Sequence, residues 1–97
     1  MKYIIENIKE NAVSMMRRAG YAFQRREGQE MSFVRELARG GFPRFHAYTH
    51  MEGMKLVINL HLDHKRETYG DATRHHGEYE DSPVVQEEAN RLQSMLK

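Results

Sequence analysis

Cysteine is absent from the 97-residue sequence. Its absence excludes disulfides, thiol nucleophiles and thiolate metal sites, fits a reducing compartment, and leaves histidine, aspartate and glutamate to hold any metal. Long apolar runs are missing as well. Lys2, Glu6, Lys9 and Glu10 interrupt the first ten residues, so neither a signal peptide nor a membrane span is expected there, and a soluble cytoplasmic protein is. A large net charge is also lacking. At +1 the chain is unlike a typical nucleic-acid binder, yet residues 1–50 carry nine Lys/Arg against five Glu, whereas residues 51–97 carry six against nine acids. The basic half comes first. The six histidines would raise the charge from +1 to +7 on full protonation, so affinity for anions is expected to rise as pH falls through about 6.5.

What is present is enough for one domain over residues 1–97. A chain of this length buries roughly 60–65% of its unfolded surface and folds without staples. Its clearest pattern runs from Phe42 to Asp63, two alternating stretches around Glu52-Gly53 that predict a long β-hairpin. With Glu52-Gly53 at the tip, Met51 meets Met54, Ala47 meets Ile58 and Phe45 meets Leu60. Alternation then gathers Phe45, Ala47, Met51, Met54, Leu56, Ile58, Leu60 and Leu62 on a core face. The open face collects Arg44, His46, Tyr48, His50, Lys55, Val57, Asn59 and His61.

Around this hairpin, Ile4/Ile5, Ile8, Ala12, Met15/Met16 and Ala19 recur at helical spacing before Gly20, which predicts a helix over residues 3–19. Gly28-Gln29 marks a second hairpin, residues 21–27 and 31–37. A three-residue loop puts Tyr21, Phe23, Met31, Phe33 and Leu37 on the core side and Arg26 on the open face. Residues 64–81 lack apolar periodicity and read as a long loop. Ser82 as N-cap, Pro83 and the stripe Val85, Ala89, Leu92, Met95/Leu96 predict a helix over residues 83–96, with Glu87 and Arg91 paired at i, i+4. The expected fold is therefore α+β: a two-layer sandwich in the order α-β-β-β-β-α, with a four-stranded antiparallel meander and both helices on its apolar face.

Three chemistries suit these residues. Arg26, Arg44, Lys55, His46, His50 and His61 offer positive charge or donors beside Tyr48, an arrangement for RNA phosphates and bases, although the solvated side of any antiparallel sheet is polar. In the expected register His46 faces Asn59 and is diagonal to His61, so His46, His61 and Asp63 with a loop histidine, His75 or His76, form a set for zinc or another divalent ion. Exposed or hydrogen-bonded histidines are the plainer account, because no tight ligand spacing is present. His61, Asp63, His75 and Glu78 also hold acid-base groups, with Tyr48 or Tyr69 to position a substrate. No glycine-rich phosphate loop or nucleophile elbow accompanies them, and nothing requires catalysis. RNA binding through the sheet face and the 64–81 loop is the favoured expectation. A metal-dependent or histidine-based enzyme is the alternative, and a protein-interaction module, including a homodimer through an open sheet edge, is the third.

Ser32-Phe33-Val34-Arg35, Pro43-Arg44-Phe45-His46, Asn59-Leu60-His61-Leu62-Asp63, Tyr69 and Gly77-Glu78-Tyr79 together resemble a family of short uncharacterised bacterial hypothetical proteins, over about residues 20–80. The family has glutamine at the place of His64 and serine at that of His76, so the resemblance carries neither over as a ligand. It brings no activity. It implies a cluster of His46, Asn59, His61, Asp63, Tyr69, His75, Glu78 and Tyr79.

Overall fold

Glycine at the first of two turn positions is what a tight hairpin demands, and Gly53 takes it with φ of +63°. In the computed structural model, which describes residues 1–64 and 82–96, the turn is therefore Gly53-Met54, and Glu52 faces Lys55. The pairing differs by two residues from the sequence expectation. Met51 faces Leu56, Ala47 faces Leu60 and Phe45 faces Leu62. Because the shift is even, each residue keeps its face. Met54 alone leaves the core set, standing in the turn at 51% exposure.

The main correction to the fold lies at the start of the chain. Residues 3–19 are not one helix. Lys2–Ile5 form strand β1, Asn7 turns the chain with φ of +61°, and only Ala12–Arg18 are helical, as α1. Both periodicities were available to Ile4, Ile5 and Ile8. Two local features decide between them: Asn11 caps α1, its Oδ1 accepting from Val13 N at 2.8 Å and Ser14 N at 3.2 Å, and β-branched isoleucines favour a strand. The amide of Ile8 then donates to Met54 O at 2.8 Å, which ties the connection to the hairpin tip.

The remaining strands are β2 (Ala22–Glu27), β3 (Glu30–Glu36), β4 (Arg44–Glu52) and β5 (Lys55–Asp63), and α2 covers Pro83–Met95. The sheet is antiparallel, five-stranded and open, in the order β1-β5-β4-β3-β2. The protein is thus α+β with two described helices, and the expected four strands gain a fifth on the β5 edge. No described helix is long and apolar enough to cross a membrane.

One buried cluster joins Met15, Met16 and Ala19 of the α1 region, Phe33, Phe45, Ala47, Ile58 and Leu60 of the sheet, and Val85, Ala89 and Leu92 of α2. Thr49 is buried among them, where its hydroxyl donates to Met31 O at 3.1 Å. Ser82 caps α2 as expected, its Oγ accepting from Val85 N at 3.4 Å. Arg91 does not pair with Glu87. It grips the buried Glu88 instead, through Nε to Oε1 and Nη2 to Oε2, both at 2.8 Å. Tyr21 OH donates to the same carboxylate at 2.6 Å and Arg35 Nη1 at 3.2 Å. Arg91 Nη2 also reaches Ala19 O at 2.8 Å, so one buried carboxylate links α2, β3 and the end of α1.

Candidate binding site on the open sheet face

Register determines what the open face brings together. Across β4 and β5, Arg44 faces Asp63, His46 faces His61 and Tyr48 faces Asn59. On β3, Glu36, Val34 and Ser32 extend these three rows, and on β1 Lys2 lies beside Asn59. His46 and His61 are direct neighbours rather than diagonal ones, a consequence of the two-residue shift.

At the centre lies a run of rings. Tyr48 stacks on His46, with centroids 4.3 Å apart and planes 28° apart, and meets His61 edge-on at 5.7 Å. At the β4 entrance Arg44 lies 4.6 Å over the Phe42 ring. Its Nε donates to Asp63 Oδ2 at 3.3 Å, and His46 Nδ1 lies 3.4 Å from the same oxygen. Burial pushes the Asp63 carboxyl up, but the opposing hydrogen bonds and charges of His46 and Arg44 outweigh it, so the group sits below its ordinary range. Burial, followed by the Asp63 charge, pushes the Tyr48 hydroxyl up.

The site is consequently less basic than the bare residue types imply. Arg44 is committed to Asp63. Lys55 stands at the hairpin tip opposite Glu52, with His50 Nε2 at 2.7 Å from that carboxylate. Arg26 leaves the open face altogether, a second correction. The β2–β3 turn has two residues, Glu27 faces Glu30, and a bulge at Gln24 reverses the alternation partway along β2. Arg26 therefore falls opposite Met31 on the core side, where its Nε donates to Gly28 O at 3.1 Å. Arg25 takes the open side next to Ser32, its Nε 3.0 Å from Glu27.

Of the anticipated residues, Arg44, His46, Tyr48, Asn59, His61 and Asp63 meet at one end of the face. Lys55 does not, and Tyr69, His75, Glu78 and Tyr79, with the rest of the 64–81 stretch beyond His64, lie outside the described residues. Among the described residues no three His, Asp or Glu side chains form a group that could hold a metal ion. Sequence reasoning gave Phe42 no role, and it set Ser32 on the open face, where it is found, without giving it one. Phe42 precedes the strand, where alternation gives no guidance. Ser32 is buried on the open side, and its hydroxyl lies 3.1 Å from Gln24 Oε1, a contact that the bulge creates. Away from this cluster, a cleft of about 430 Å³ is lined by Ile4, Ile5, Glu6, Asn7 and Gln93, none of them an anticipated site residue. No protein-family model, curated protein or solved structure matches this chain.

Proposed function

We propose that the domain is a cytoplasmic binding module whose open face takes single-stranded RNA by stacking bases on its rings. The observation that carries this reading is the run of half-buried rings of His46, Tyr48 and His61 on the open sheet face, with Arg44 at its end. Base stacking on an aromatic side chain contributes about 1–3 kcal/mol per base and tolerates any sequence. Phosphate neutralisation contributes little here, because Arg44 and Arg25 already face carboxylates. Binding should therefore depend weakly on salt, with a logarithmic slope near that of roughly one or two phosphates. It should tighten as the histidines gain charge.

A fluorescence titration with short RNA at pH 6 and pH 8 tests this. Tighter binding at pH 6 is expected, with a loss of about 1–3 kcal/mol on Tyr48→Ala and a smaller loss on Arg44→Ala. Absence of binding at both pH values in low salt, or indifference to both substitutions, would move the reading to a protein-interaction surface.

A further inference from the structure

We propose that β1 is a dimerisation edge, through which two copies of this chain pair antiparallel about a two-fold axis and join their five-stranded sheets into one. The edge lies apart from the ring cluster, so the proposal does not rest on RNA binding. The direction of the backbone comes first. Met1 and Leu60 exchange both backbone hydrogen bonds, at 2.7 and 2.8 Å. Bonded and non-bonded pairs alternate along an antiparallel ladder, so Tyr3 and Ile5 bond to β5 while the N–H and C=O groups of Lys2 and Ile4 point out of the sheet. Among the described residues no strand lies beyond β1. The space beside it is open. The cleft of about 430 Å³ is lined by both Ile4 and Ile5, which belong to opposite faces of β1, and it therefore runs along the edge itself, with Glu6, Asn7 and Gln93 completing it.

The sequence of the edge selects a second copy as its occupant. Lys2 and Ile4 share the open face, Glu6 comes next in the alternation, and all three are exposed. Setting Ile4 against Ile4 of the second copy places Lys2 opposite Glu6 of that copy and, by symmetry, Glu6 opposite its Lys2. The edge is thus complementary to itself: two opposite-charge pairs flank an apolar centre, where each Ile4 is 51% exposed in the single chain. The outward backbone groups of the two Ile4 residues fall opposite one another and form a bonded pair on the axis. The other edge does not offer this. A bulge at Gln24 interrupts β2, and two adjacent arginines, Arg25 and Arg26, add charge to it, both of which are devices that blunt an edge strand. β1 has neither a bulge nor a proline. Its four residues are far fewer than the about 20–30 a side of a stable interface, so association should be micromolar and reversible.

Sedimentation velocity on the full chain, from about 1 μM to 1 mM, tests the proposal. A monomer–dimer equilibrium is expected. Ile4→Pro removes only an outward N–H, a change that edge strands accept, and should weaken association more than about tenfold by deleting both donors on the axis. Lys2→Glu and Glu6→Lys should each weaken it by setting like charges opposite one another, whereas an equal mixture of the two variants should associate as the wild type does, because every facing pair is then opposite in sign. Phe23→Ser on the β2 edge, where the ring is 46% exposed, should leave association unchanged. Circular dichroism confirms that each variant is folded, and protection of the Ile4 amide that rises with protein concentration is a second readout. A wild-type chain still monomeric at the highest concentration, or a dimer indifferent to Ile4→Pro or abolished by Phe23→Ser, would overturn the edge. Charge variants that fail to associate when mixed would overturn the register. RNA titrations run at concentrations where the chain is monomeric keep the two readings apart, since either can fail while the other holds.

Discussion

Replacing Glu88 with alanine is the most searching perturbation of the fold. Its side chain is 3% exposed and accepts four hydrogen bonds, one from Tyr21, one from Arg35 and two from Arg91. Alanine leaves the Tyr21 hydroxyl without its acceptor, at a cost of about 1–3 kcal/mol. It also strands two guanidiniums. Removing one partner of a fully buried ion pair costs about 3–5 kcal/mol, but Arg35 and Arg91 are each 32% exposed and regain water, so their share falls well below that, to about 1 kcal/mol. A total of about 3 kcal/mol corresponds to roughly 12–24 °C in melting temperature for a domain of this size. The effect should depend on pH. Burial pushes the Glu88 carboxyl up, but its bonds to Arg91 and Tyr21 and the charges of Arg91 and Arg35 hold it below the ordinary 4.5. A carboxyl depressed in the native state stabilises fully above its unfolded pKa, and that stability is lost as pH falls through the native value. Urea denaturation of wild type and Glu88→Ala at pH 7 and pH 3 reads both quantities. The difference should shrink at pH 3. A cost under about 1 kcal/mol at pH 7, or one that is unchanged at pH 3, would refute the reasoning.

Two further substitutions probe the remaining elements. Ile58→Asp places a charge at a fully buried position at the sheet centre and should prevent folding, which a lost far-ultraviolet dichroism signal would report. Asn11→Ala removes the acceptor for two amides at the start of α1 and should cost about 1 kcal/mol in urea denaturation, whereas Asn11→Ser should restore most of it.

The hairpin faces and α2 were legible in the sequence because each rests on a single strong signal. Alternation sorted Phe45, Ala47, Ile58 and Leu60 from His46, Tyr48 and His61, and Ser82-Pro83 marked the helix start. Register was less legible, since Glu52-Gly53 and Gly53-Met54 are both plausible tips and differ only by an even shift. The cluster survives that error while its neighbours change, which turned His46 and His61 from diagonal to direct partners. Strand β1 was hidden because isoleucines at 4, 5 and 8 satisfy a helical period as well as a strand. The place of Arg26 was hidden for another reason: a bulge is a tertiary accommodation, and nothing local in Gln24 announces it.

The order of strands in the sheet also has a meaning in time. From β2 to β5 each strand lies beside the next one along the chain, so three pairings close through short turns. The fourth, between β1 and β5, joins Lys2 to Asn59 and must first restrict a segment of more than fifty residues. Chain entropy therefore makes the meander the early structure and the β1 edge the late arrival, with local opening following the same order in reverse. In solution this should be visible as faster amide exchange along β1 than at the β3–β4–β5 centre, so the strand hardest to find in the sequence would also be the last to find its own place.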